Sequence, residues 1–201
     1  RAISAKLTGM GFKVTTVENA DRTKLIRSLV NFSASAADSD LTLFFYAGHG
    51  VQISGTNYML PTDTNLNQIG GVTLHGIPLT YAVDQFLPGK TKLVFLDACR
   101  DNPLSQVASR SVSRGLAPIS VSQGTLFFYA TKDGSVAADG SGKNSPFTKA
   151  LLQHIDSPED IAVVLRRVRD QVMRDTGGQQ QPWEYGSLSG GSLILSAIRA
   201  K

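Results

Sequence analysis

Apolar positions along this chain fall into two periods. Helical spacing appears in "AISAKLTGMGF", where Ile3, Leu7 and Met10 recur and Gly11 offers a stop, and again behind Asp21, a good N-cap for Leu25, Ile26, Leu29 and Val30. It returns in "LTYAVDQFL", from about Pro146 to His154, and in a helix carrying Ile161, Val164, Leu165, Val168 and Val172 on one face, with Ser157 as cap, Pro158 at its first position and Asp160 in its first turn. Short apolar, β-prone runs stand between these: "KVTTVEN" (13–19), "LTLFFYA" (41–47), "KLVFLDA" (92–98), "TLFFYAT" (125–131) and "SLILSA" (192–197). Several are apolar on both faces. Strands of that kind alternating with helices predict an α/β fold with a mainly parallel central sheet and helices on both faces. Residues 100–124 break the pattern: they are rich in Ser and Arg, contain Pro103 and Pro118, and read as a long flexible loop.

Composition fits one compact domain over residues 1–201, with 41% hydrophobic and 18% charged residues. The net charge of +4 is small and partly gathered in "RRVRDQVMR" (166–174), which reads as a solvated helix face; no nucleic-acid partner is expected. A single cysteine excludes an internal disulfide, and His49, His75 and His154 lie too far apart for metal-ligand spacing, so no metal site is expected. No apolar run approaches the roughly 18 residues of a membrane span. The chain opens at Arg1 inside a helical pattern, so a further N-terminal segment is expected and the compartment stays unassigned.

Two strand ends carry candidate chemistry. "YAGHG" (46–50) ends one apolar run on His49 and "LDACR" (96–100) ends another on Cys99. In parallel α/β sheets functional groups collect at the carboxyl ends of strands. A thiol needs a neighbouring imidazole to be a ready nucleophile at neutral pH, and that imidazole can then protonate a leaving amine. Backbone amides must face the developing oxyanion, and those of Gly50 and Cys99 are natural donors. His75 and His154 are read as structural or solvent-facing.

"FFYAGHG" and "LVFLDACRD" resemble the His and Cys blocks of the caspase-like cysteine peptidases, especially bacterial metacaspase-like proteins, and "YMLPTD" and "FFYATKDGSVAADGSGKNSPFTKALLQHI" also look familial. The resemblance covers nearly the whole chain. It implies a caspase-like fold, His49 as acid/base, Cys99 as nucleophile, and Gly50 with Cys99 as oxyanion donors. It also implies a large-subunit-like part (1–99), a processing loop (100–124) and a small-subunit-like part (125–201). Where caspases carry Gln two before the cysteine, this chain carries Asp97, as metacaspases do. Residues two apart on a strand share a face, so Asp97 is a candidate substrate-binding acid that favours Arg or Lys before the scissile bond; the alternative is an internal partner such as Arg100. Family members begin with a central strand and another pocket acid, both upstream of Arg1, which leaves a gap expected between the first two strands seen here. Ala47 stands where metacaspases often have Ser, and "RDN" follows the cysteine where they often have "HSG".

These readings give a cysteine endopeptidase acting on protein or peptide substrates with Arg or Lys before the cut. Self-processing is expected at Arg114 first and Arg110 second. No cofactor is expected. Calcium is a family habit, and Asp101, Asp133 and Asp139 are available, but none stands at EF-hand spacing, so activity without added calcium is the expectation. The rival reading is a catalytically silent caspase-like scaffold. A nucleotide site in "DGSGKNS" (139–145) fails because Ala137 and Asn144 stand where a P-loop needs Gly and Ser or Thr. Trp183 is open to two readings, pocket lining or packing.

Overall fold

The computed structural model of the protein describes residues 1–99, 112–113, 122–132 and 142–198. The elements run α1 (Ala2–Gly9), α2 (Arg22–Ser35), β1 (Leu41–Ile53), β2 (Thr56–Met59), α3 (Ile69–His75), β3 (Ile77–Pro78), α4 (Leu79–Phe86), β4 (Thr91–Cys99), β5 (Val112–Ser113), β6 (Thr125–Tyr129), α5 (Pro146–His154), α6 (Ile161–Asp175) and β7 (Trp183–Gly186). The strands form one mixed sheet in the order β3-β2-β1-β4-β6-β7, with β5 pairing β1 off this path. The three central strands, β1, β4 and β6, are parallel, and the outer ones are antiparallel.

Strand pleating decides which helices cover which face. Leu93 and Phe95 of β4, with Leu41, Leu43 and Phe45 of β1, pack on the side of α1, α5 and α6. Their neighbours Val94 and Leu96, with Phe44 and Tyr46, pack on the side of α2 and α4. Both faces of the parallel centre are therefore dry, as the apolar runs required. The rings of Phe95 and Phe128 meet edge to face at 6.3 Å, and burial of each such side chain contributes roughly 1.5–3 kcal/mol. On α6 the buried residues are Ile161, Val164, Leu165, Val168 and Val172, the predicted stripe, while Arg166, Arg167 and Arg174 are exposed on its outer face.

Five readings change. The run 13–19 forms no strand: it has no ladder partner among the described residues, and a β-prone sequence becomes a strand only when a neighbour supplies hydrogen bonds. "SLILSA" ends instead in a 3₁₀ turn at Leu195–Ala197, because its backbone serves α6: Leu193 N–H donates to Asp160 Oδ2 at 2.8 Å and Ile161 N–H to Leu193 C=O at 2.8 Å. The N-cap of α6 is Asp160, accepting from Ala162 N–H at 2.9 Å, rather than Ser157. Val30 is 49% exposed rather than part of the core stripe. Within the expected loop 100–124, Val112 and Ser113 form the short strand β5.

The hairpin β1–β2 turns through Ser54 and Gly55, both with positive φ (48° and 82°), the combination a two-residue turn of this hand requires. On the side away from β4, residues 41–49 of β1 have no ladder partner among the described residues. A cleft of about 1140 Å³ opens there, with residues 12–20 on its far wall.

Candidate active site

β1 and β4 run in register from Leu41 beside Thr91 to His49 beside Cys99. The two residues predicted to carry the chemistry are thus Cα partners on adjacent parallel strands, about 5 Å apart by strand spacing. His49 lies inside β1, which continues through the Gly-His-Gly stretch to Ile53, and Cys99 is the last residue of β4. His49 is exposed, and two residues back on β4 the register sets Asp97 beside Ala47.

Gly50 opens the antiparallel pairing with β2, as partner of Met59. Leu60 N–H donates to His49 C=O at 3.1 Å, so residue 49 directs its carbonyl toward β2. Polar groups of successive residues alternate in direction along a strand, which turns the Gly50 N–H to the other side, where β4 lies. Gly48 owes its identity to Tyr46: a Cβ there would fall 2.7 Å from the Tyr46 oxygen and 2.9 Å from Cζ. The phenol is engaged with the strand's own backbone, donating to His49 C=O at 2.7 Å and accepting from Leu60 N–H at 3.2 Å. Burial pushes its pKa up to about 12, against a smaller lowering by the Leu60 N–H.

Asp97 is 9% exposed. Its Oδ2 accepts the hydroxyl of Thr148 at 2.5 Å and that of Ser145, both from the start of α5. Ser145 is the N-cap of that helix, accepting Thr148 N–H at 3.0 Å, with Pro146 behind it in the first turn. His49, Asp97, Ser145, Thr148 and Lys143 line the same cleft that runs along the free edge of β1.

The remaining candidates fall elsewhere. His75 lies 3.9 Å from Asp63, on α3. His154 closes α5, its Nε2 buried and without a hydrogen-bond partner among the described residues. Trp183 lies on the edge strand β7 between Lys132 Nζ at 5.4 Å and Arg169 Cζ at 5.9 Å, in cation–π contact and off the cleft wall. Arg100, Arg110, Arg114, Asp101, Asp133 and Asp139 lie outside the described residues. Sequence reading did not single out Tyr46, Ser145 or Thr148. "SPFT" carries a visible cap signal, Ser followed by Pro, but nothing local says that the capping hydroxyl faces an acid 48 positions upstream.

No curated protein sequence gives a significant match. The crystal structure of caspase-1 from Spodoptera frugiperda superposes with a TM-score of 0.65 over 94% of this chain and 76% of that one, at 21% identity, and shares the fold. The family model for the caspase domain matches residues 1–190. With nearly the whole length matched, this chain belongs to the caspase domain family of cysteine peptidases.

Proposed function

We propose that the chain is a cysteine endopeptidase that cuts after Arg or Lys. The observation that carries this reading is the register of His49 against Cys99, with Asp97 two residues before Cys99 on β4. In the proposed reaction the Cys99 thiolate adds to the scissile carbonyl carbon, and the N–H groups of Gly50 and Cys99 receive the oxyanion. Collapse breaks the C–N bond, and His49 gives its proton to the leaving amine. Water, deprotonated by His49, then cleaves the thioester and regenerates the thiol. The Asp97 carboxylate favours a cationic side chain through a charge-assisted hydrogen bond. Catalysis without added calcium belongs to this reading, as does self-processing after Arg114 or Arg110.

The test is cleavage of short peptides that differ only in the residue before the cut, beside a Cys99→Ala variant. Cleavage after Arg and Lys, lost in Cys99→Ala, supports the reading. Cleavage after Asp overturns the pocket assignment. A wild-type protein that neither cleaves nor reacts with a thiol-directed Arg peptide probe is a scaffold. Full loss of activity on chelation, restored by calcium alone, overturns calcium independence.

A further inference from the structure

A carboxylate only 9% exposed has lost most of its water and holds its charge only if donors replace it. Asp97 has such donors. Two hydroxyls converge on one oxygen, Oδ2, from residues three apart on the first turn of α5. The hydrogens are committed: Ser145 Oγ accepts Thr148 N–H, so its own hydrogen is left to point at Asp97. Thr148 N–H polarises the Ser145 hydroxyl that donates to Asp97 Oδ2, and the Thr148 hydroxyl donates separately to the same oxygen. The arrangement also sets Oδ2 beside the positive end of the α5 dipole, which favours the ionised form.

Capping and packing of α5 do not themselves require either hydroxyl to touch Asp97. Ser145 would cap α5 without touching Asp97, and Thr148, 7% exposed, would pack as valine. We propose that Ser145 and Thr148 are specificity-positioning residues: they keep Asp97 ionised and hold its carboxylate in the cleft wall, so the preference for a cationic substrate side chain depends on them. This rests on Asp97 as the pocket acid and deepens that reading.

The experiment compares kcat/KM for two peptides identical except for Arg or citrulline, its uncharged isostere, before the cut. Asp97→Asn should abolish the preference for Arg. Thr148→Val should lower the Arg-to-citrulline ratio about tenfold, as expected for loss of a hydrogen bond to a charged group, and chiefly through KM. Its rate of Cys99 alkylation by a small neutral reagent should stay unchanged, and Thr148→Ser should restore the ratio. Ser145→Ala should move the ratio the same way and also lower the melting temperature through the lost cap; it decides the matter if Thr148→Val fails to fold. If Asp97→Asn abolishes the preference while Thr148→Val and Ser145→Ala keep it, the inference falls and the pocket stands. If Asp97→Asn leaves the ratio unchanged, the pocket reading falls and this inference with it.

Discussion

The phenol of Tyr46 donates a 2.7 Å hydrogen bond to the carbonyl of His49, three residues further along the same strand. Its ring lies on the face opposite the histidine side chain, against the α2 and α4 layer, so a core residue grips the backbone of the proposed catalytic stretch from behind. Leu60 N–H, shared between that carbonyl at 3.1 Å and the phenol at 3.2 Å, ties the segment after β2 to the same point.

Tyr46→Phe keeps the ring and removes the grip. The expected loss is about 1 kcal/mol of stability, because Leu60 N–H retains the His49 carbonyl. Activity should fall further than stability does, in kcat with KM little changed, since His49 and the Gly50 amide share that backbone. Because the phenol holds its proton up to about 12, its ionisation should leave no mark on the neutral pH profile of the wild type. Steady-state kinetics beside amide exchange at Leu60 measure both effects; unchanged kcat with faster Leu60 exchange would leave the phenol a purely structural role.

Gly48→Ala tests the other half of this arrangement. Its Cβ would meet the phenol oxygen at 2.7 Å and Cζ at 2.9 Å, both belonging to a ring packed in the core. Overpacking of this kind costs about 1–3 kcal/mol. The penalty should shrink by about 1 kcal/mol when Tyr46 is first replaced by alanine, a coupling that a double-mutant cycle of denaturant midpoints reads directly. Additive penalties would show that Gly48 answers to something other than Tyr46.

Sequence reading succeeded where local signal and tertiary demand agree. The apolar runs of β1, β4 and β6 and the stripe of α6 are dictated by burial on both sheet faces, so period and length suffice to find them. Residues 13–19 have equal β propensity and no ladder among the described residues, a matter of long-range pairing that no local pattern encodes. The short edge strand β7 and the hairpin strand β2 went unseen for the converse reason: four residues each are too few for a period, although Ser54-Gly55 was a legible turn. For the site, the residues His49, Cys99 and Asp97 stood out at strand ends, whereas register and the hydroxyls that meet Asp97 depend on long-range pairing.

Acid should loosen the layer formed by α5 and α6. Burial, then the charges of Arg167 and Arg174, lower the pKa of His154. The N–H groups of Ala162 and Leu193 lower that of Asp160. Both folded values lie below the unfolded ones, so each group's contribution is complete above its unfolded pKa and is lost as pH falls through the folded value. The melting temperature should therefore drop in two stages, below about pH 6.5 for the histidine and below about pH 4 for the aspartate. Asp160→Ala should shrink the second stage, to which Asp156 beside Lys6 also contributes, and cost about 1–2 kcal/mol at neutral pH through the lost cap. A melting temperature flat from pH 7 to 5 would contradict the role given to His154.

Self-processing after Arg114 is the outcome expected from how β5 is tethered. Val112 and Ser113 pair with Ile53 and Gln52, on the continuation of the strand that carries His49. Gln52 lies three residues past His49, about 10 Å along the strand, so the pairing holds Ser113 at roughly that distance from the proposed centre. Arg114 is the next residue in the chain and Arg110 stands two before Val112; both lie outside the described residues. Tethering of Ser113 to the strand of His49 raises the effective concentration of the adjoining chain at the proposed centre. Arg114 is the better candidate because Gly115 follows it without a side chain, while Pro118 stiffens positions further on. Mass spectrometry of the incubated protein should find fragments ending at Arg114, and fewer at Arg110, with none from Cys99→Ala. Gln52→Pro, which removes a donor from the strand that β5 pairs with, should slow self-cleavage more than cleavage of an added Arg peptide. A loop left intact by an enzyme that cuts such peptides would show that β5 holds the segment away from the cysteine.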